Sequence, residues 1–537
     1  MTQAQIIRRA CAVTALALSV ALMTAEAQAS VVISAAPTRN MNCSNGVCAS
    51  TASKAVLNVG DLTGMLAASD VTVEAANGAK DIDVAAPFSW VSTSRLTLDA
   101  ARSINVDQSV TVAGTGALTL TTNDGGTAGV LSFGKKGSVT FWDLSSSLVI
   151  DANAYTLVAD IATLASAIHG NAMGSFALAN DYNVGVDGTY HSAPIPTPFH
   201  GRLEGLGHTI SHLAINDSST SDSVGLFQSL EDNSSVENLA FAAMRIKSTS
   251  VYGPVGGLVG TAHGLIQNVA AEGDIVAAPA AEAGEIVGEN GGTLMVCRTR
   301  GNVHGATVGG AAGVNYGTIR SCSSSGNVTG TVAGGVSGYV VGTVDLSSAT
   351  GSVTGSGSYP YVGGLVGWFY AGAVTRSFAN GAVSGHAASA GGLIGVISAS
   401  AGDGYVTDDY ATGPVSADAG SFVGGFAGWD TSTPDFHFRS GYSIGAVSGD
   451  GELGGFAGRE ENPQNIRWPK AYWDLDASGI GDPKQGCGNT PLCHSITGLS
   501  DAELKSALPD GFNPKVWGQS PGINNGYPYL LANPPRQ

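Results

Sequence analysis

Four small groups of residues in this 537-residue chain have types and spacings that could support chemistry. Asp408-Asp409 pairs two carboxylates, the minimum for acid–base work on a glycosidic bond. His208 and His212 stand four apart, a zinc-binding spacing when it falls on a helix. Asp474, Asp476 and Ser478 precede Gly479 in the manner of a calcium loop. Trp368, Tyr370 and Trp429 directly follow Gly-rich phrases, where their rings could stack on a carbohydrate or a protein partner. Context removes the first three. No acidic partner recurs near the aspartate pair, the histidines fall in strand-like sequence, and Gln485 stands where the calcium pattern needs Glu. The sequence contains no HExxH or Walker phrase. The expectation is a protein with no catalytic residue, no metal ligand set and no cofactor, whose candidate contact surface is Trp368, Tyr370 and Trp429.

What must position those rings is a repeat. The phrase Gly256-Gly257-Leu258-Val259-Gly260 returns at Gly309-Gly310, Gly334-Gly335, Gly363-Gly364, Gly391-Gly392, Gly424-Gly425 and Gly454-Gly455, with a degenerate copy at Gly284-Glu285. Successive starts are 28, 25, 25, 29, 28, 33 and 30 residues apart. A second phrase of the form Gly-x-Val (Gly273-Asp274-Ile275 in the first copy) follows each of the first seven, locked in phase. A unit of this length cannot bury its own apolar side, so neighbours must stack and share one core. Its short runs of β-branched and small residues lack helical spacing. Glycines would mark tight corners with positive φ or close backbone approach. A parallel β-solenoid follows. Stacking also predicts that Cys297 and Cys322, each four positions before the second phrase, lie one above the other. Either a strained disulfide or two buried thiols satisfies that geometry. Asn238 and Asn268 occupy matching contexts and should form an amide ladder, with His212 in the same slot.

The flanks read differently. Arg8 and Arg9 precede an apolar run ending near Ala25, and Ala27-Gln28-Ala29 supplies small residues for cleavage, so residues 1–29 read as a secretory signal peptide. No later run is long and apolar enough for a membrane-spanning helix. The exported chain keeps six cysteines. Cys43–Cys48 and Cys487–Cys493 could each close a small local disulfide loop. Residues 30–150 alternate apolar and polar positions, as in Leu96/Leu98 and Leu118/Leu120, and form an N-terminal solenoid-like region. Residues 151–250 are a transition with a short helix near 158–168 and the first coils. The repeats occupy 251–465. Residues 466–537, richer in aromatics and Pro, read as a cap with a capping-box helix start at Ser500 and Glu503. With 42 acidic against 24 basic residues, the formal charge of −18 argues against a nucleic-acid partner.

The Gly-Gly-Leu-Val-Gly phrase and its trailing Gly-x-Val resemble the GLUG repeat of bacterial surface and secreted proteins, among them filamentous-haemagglutinin-like adhesins and some IgA-peptidase precursors. Phe199–Ile210 is similar to the segment that precedes such repeats, and Tyr472-Trp473-Asp474 and Gly526–Leu530 to the one that closes them. The resemblance implies a right-handed parallel β-helix (β-solenoid), with short helical insertions and a small C-terminal cap, displayed outside a Gram-negative cell. It implies an adhesive or structural role toward a glycan or protein of a host or neighbouring cell. Without HExxH, the peptidase activity of some relatives does not carry over. The sequence also lacks two-partner-secretion phrases and a run of barrel strands, so it names no secretion partner. The alternatives are a polysaccharide-acting hydrolase or lyase on the same scaffold, and a passenger fragment of a larger secretion system. The longer copies, Gly391–Ser421 and Gly424–Asp450, carry the insertions best placed to make contacts.

Overall fold

The computed structural model describes residues 29–126, 128–220, 222–399, 403–418, 420–432, 436–461, 468–488, 493 and 495–535. The expected export segment, apart from Ala29, lies outside the described residues. The chain is nearly all β, 47% strand and 6% helix, and forms a β-solenoid of about 16 turns. Each repeat contributes one strand to each of three parallel sheets. Runs leading into the Gly-Gly phrases make an eight-stranded sheet from Val255–Gly256 to Glu452–Gly454. Runs just after them make a nine-stranded sheet from Phe227–Leu230 to Ala457–Glu460, and the Gly-x-Val phrases fall in another from Ala214–Asp217 to Val447–Gly449. A fourth face carries paired short strands such as Thr318–Arg320 and Ser323–Ser324.

The register is that of the repeat. Gly256, Gly284, Gly309, Gly334, Gly363, Gly391, Gly424 and Gly454 pair in a single column. Inward Leu, Val, Ile and Phe side chains fill one continuous core from Val158 to Ile496. No glycine of either recurring phrase has a positive φ, so they are not the corners. They are needed for close approach: a Cβ on Gly364 would overlap the carbonyl oxygen of Gly392 and stand 2.8 Å from the Cβ of Ala379. The one departure, Glu285, is buried and accepts hydrogen bonds from the backbone N–H groups of Gly273 (3.0 Å) and Gly301 (2.7 Å).

The sharp bends belong to other residues. Asn238, Asn268, Val296, Ser321, Leu346, Arg376, Asp408 and Ser440 each have φ between 49° and 60°, one per coil. Asn tolerates this region best, which explains its early appearances. The Asn268 amide donates to Asn238 Oδ1 at 2.7 Å, and Asn238 to Glu204 Oε2 at 3.1 Å. His212 shares the left-handed bend, with φ 59°. After the bends at Val296, Ser321, Leu346 and Arg376 the next backbone N–H is taken by a side chain of the following coil. A column of side chains accepts it: Cys297 N–H to Cys322 Sγ (3.4 Å), Cys322 to Ser347 Oγ (3.2 Å), Ser347 to Ser377 Oγ (3.0 Å), Ser377 to Asp409 Oδ1 (2.7 Å). Cys297 and Cys322 are therefore neighbours but not a disulfide; both are buried free thiols. Side chains projecting in parallel from stacked coils turn the second sulfur toward a peptide N–H rather than toward the first sulfur. Cys43 is bonded to Cys48, and Cys487 to Cys493.

Residues 30–150 form shorter parallel coils around a core of their own, with Leu96, Leu118 and Leu148 in register. The strand Ser147–Ile150 then turns back on Asn153–Val158 in antiparallel fashion before parallel stacking resumes. The helix Ile161–Gly170 follows, started by Asp160, whose carboxylate accepts the Thr163 N–H at 2.7 Å. A further helix, Val59–Leu66, has no counterpart in the sequence expectations; Asn58 caps it, and only Leu62 and Leu66 bury fully. At the far end Trp473, Cys487 and Ile496 close the core. The chain does not stop there. It runs back along the outside as a strap, laying Leu504, Phe512, Trp517, Tyr527 and Leu530 over Phe378, Tyr410, Tyr442 and Tyr472. The strap starts with the expected capping box at Ser500 and Glu503, and Asn533 ends it by donating to the Ser347 and Arg376 carbonyls at 3.1 Å each.

Candidate functional site

In each strand that follows a Gly-Gly phrase, the third residue stands between buried neighbours on the outward side of the sheet. The outward column of that sheet reads Glu289, Val314, Tyr339, Trp368, Val396, Trp429 and Arg459. Beside it, the eight-stranded sheet contributes Tyr361 and Phe422. The rings gather into a stripe. Trp368 meets Tyr339 edge-on with centroids 5.1 Å apart, Tyr361 at 5.6 Å and Tyr370 at 6.1 Å. Tyr316 extends the group upstream, 6.5 Å from Tyr339 and 51% exposed. Downstream, Trp429 lies 5.4 Å from Phe422, over which the Arg459 guanidinium sits at 4.9 Å. Trp368, Tyr370 and Trp429 are half-buried. Trp368 and Tyr370 pack on each other and Trp429 packs on Phe422, and all three still present surface to solvent. Both indole N–H groups are fixed: Trp368 Nε1 donates to Ser398 Oγ (2.6 Å) and Trp429 Nε1 to Glu461 Oε1 (3.1 Å). Three coil steps from Tyr339 to Trp429 span ~14 Å, a length suited to an extended ligand.

A carboxyl pair borders the upstream end. Burial pushes Glu282 up to about 7, and the Glu289 charge adds to the rise. Burial also raises Glu289, partly offset by His263. Burial carries the Tyr339 hydroxyl to about 12, helped by Tyr316 and Tyr370. The stripe thus joins flat apolar rings to groups that can donate hydrogen bonds near neutral pH. Sequence reasoning found Trp368, Tyr370 and Trp429 but missed Tyr316, Tyr339, Tyr361, Phe422, Glu282 and Glu289. The missing signal was the register, since residues 23 to 33 apart in sequence become lateral neighbours only when the coil lengths are known.

The other sequence candidates have structural work. Asp409 is buried in the N–H column, and Asp408 accepts the strap's Trp517 Nε1 at 2.9 Å. The two carboxyls are spent in separate places, with no cleft between them. His208 is buried, with Nε2 2.8 Å from the Val139 carbonyl and Nδ1 3.2 Å from Asp181, at the junction of the two solenoid regions. Asp474 caps its own turn through the N–H groups of Asp476 and Ala477 (2.8 and 2.9 Å) and receives the Tyr527 hydroxyl at 3.0 Å. Among the described residues, no three His, Cys, Asp or Glu side chains gather as a metal site would require, and no helix is long and apolar enough to cross a membrane.

No family model matches the chain. A stretch of 79 residues, 14% of the chain, is 42% identical to part of halomucin from Haloquadratum walsbyi (strain DSM 16790 / HBSQ001), and covers 1% of that protein's length. Among solved structures, a "putative immunoglobulin A1 protease" from Bacteroides ovatus aligns with 71% of this chain and 92% of its own, at 18% identity and a TM-score of 0.32.

Proposed function

We propose that this protein is an exported, surface-exposed or secreted β-solenoid of the GLUG-repeat, filamentous-haemagglutinin-like kind, which holds a glycan or protein partner without catalysis. The observation that carries this is the aromatic stripe. Stacking of a sugar or peptide face on Trp or Tyr contributes most when the rings are already held in place, because little side-chain freedom remains to be lost. Repetition along the stack then spreads affinity over several coils. The test is binding of the chain from Ser30 onward to an array of glycans and matrix proteins, with Trp368→Ala and Trp429→Ala alongside. Loss of the captured ligand in both variants, with unfolding unchanged, supports the stripe. Equal capture by both variants refutes it.

One observation favours a second reading, a polysaccharide-acting enzyme. Glu282, held near 7 beside Glu289, has the property of a general acid at neutral pH. Release of reducing sugar or unsaturated product from a ligand found on the array, abolished by Glu282→Gln, would select that reading over adhesion.

A further inference from the structure

The outward row that carries Phe378, Tyr410, Tyr442 and Tyr472 beneath the strap begins upstream as Arg298, Ser323 and Ser348, in the same register. The row beside it runs Arg300, Ser325, Thr350 and Asn380 through the same four coils, all four exposed. The strap covers the aromatic part of this face and ends at Ala532, Asn533 and Pro534, which wall off the polar part. What lies between is a trough of about 490 Å³. Its lining brings guanidinium, hydroxyl and amide groups together beside the apolar Val296, Leu346 and Phe378, and no carboxylate lines it. That is unusual ground in a chain of net charge −18. Arg298 and Arg300 flank buried Thr299 and leave the same side of the chain, roughly 7 Å apart, a spacing that lets both reach one oxyanion or two on adjacent units. The trough belongs to a different sheet from the aromatic stripe.

We propose that this trough is a subsite for an acidic saccharide. Arg298 and Arg300 take the carboxylate or sulfate of the sugar through charge-assisted hydrogen bonds. Ser325, Thr350 and Asn380, in successive coils, serve the ring hydroxyls. The strap's end fixes how far along the stack the sugar can slide.

Calorimetric titration of the full chain with a uronate disaccharide, a sulfated disaccharide and a neutral disaccharide of the same linkage tests this. The acidic sugars should bind roughly tenfold or more tightly than the neutral one, and added salt should weaken them. Arg298→Gln and Arg300→Gln should each cost roughly tenfold, and Arg300→Lys less. Both arginines are exposed, so unfolding curves should superimpose on wild type. The uronate and sulfate arms identify which acid the trough accepts. Equal affinity for the neutral sugar, unchanged binding in both Gln variants, or inorganic sulfate binding as tightly as the sulfated sugar would each overturn the proposal. So would a lack of binding by either acidic sugar.

Discussion

Replacing Ser347 with Ala should open one rung of the column that follows the bends. Ser347 is fully buried; its Oγ accepts the Cys322 N–H at 3.2 Å and donates to the Asp345 carbonyl at 2.9 Å. Deleting the hydroxyl leaves a buried peptide donor with no acceptor, at a cost of ~1–3 kcal/mol. Repeat arrays do not unfold as a single two-state unit, so a global melt would blur a local loss. Hydrogen exchange of the Cys322 amide reads the rung directly and should accelerate roughly 5- to 150-fold. Ser347→Cys is the control, since Cys322 already does this work for the Cys297 N–H one coil earlier. Its exchange should stay much nearer wild type. If Ser347→Ala exchanged at the wild-type rate, or if Ala and Cys behaved alike, the column would be incidental to the fold.

Two further outcomes concern stability. Burial holds Glu204 and Glu285 up to about 8 and Glu282 to about 7. In the unfolded chain these groups ionise near pH 4.5, so the fold binds the extra protons between. Their contribution is fully present below about pH 4.5 and is lost as pH rises through 7 to 8, with ~1.4 kcal/mol per pH unit as the limit for each group. Urea unfolding should therefore show a higher midpoint at pH 5 than at pH 8.5, with Glu204→Gln flattening the difference; a higher midpoint at pH 8.5 would refute the assignment. Gly364→Ala should destabilise by ~1–3 kcal/mol through overpacking, because the groups its Cβ meets include a backbone carbonyl that cannot rotate away. Gly481→Ala, with nothing within 4 Å, should be close to neutral in the same assay; equal effects would mean that close approach is not why the repeat keeps its glycines.

The stacking was legible because it is written twice, in the Gly-Gly phrase and in the Gly-x-Val phrase at constant phase. Cys297 over Cys322 followed from that phase, and Asn238 over Asn268 from their matching local contexts. The corners were not legible. A left-handed bend carried by Val296, Leu346 or Arg376 has no composition cue, since packing on both sides overrides the local steric preference. The strap was half legible: the capping box at Ser500 was visible, but the outward column Phe378, Tyr410, Tyr442, Tyr472 reads as ordinary strand sequence until registers are known. The same holds for the aromatic stripe, where spacings of 29 and 61 residues separate Tyr339 from Trp368 and Trp368 from Trp429. Chemistry proved harder to read than architecture, because a buried carboxyl such as Asp409 looks functional in a sequence and turns out to hold a backbone N–H group.

The strap also settles where tension would go. A pull on the C-terminus meets Asn533 first, then the Tyr442–Pro528 and Trp517–Asp408 contacts, before the load reaches Trp473 and the last coil. Detaching it peels contacts one at a time, as tape lifts from a surface, and each step lengthens the molecule while the coiled rod stays wound. A tether attached at this end would therefore yield gradually under drag and re-adhere when the drag falls, acting as a shock absorber in series with a stiff rod.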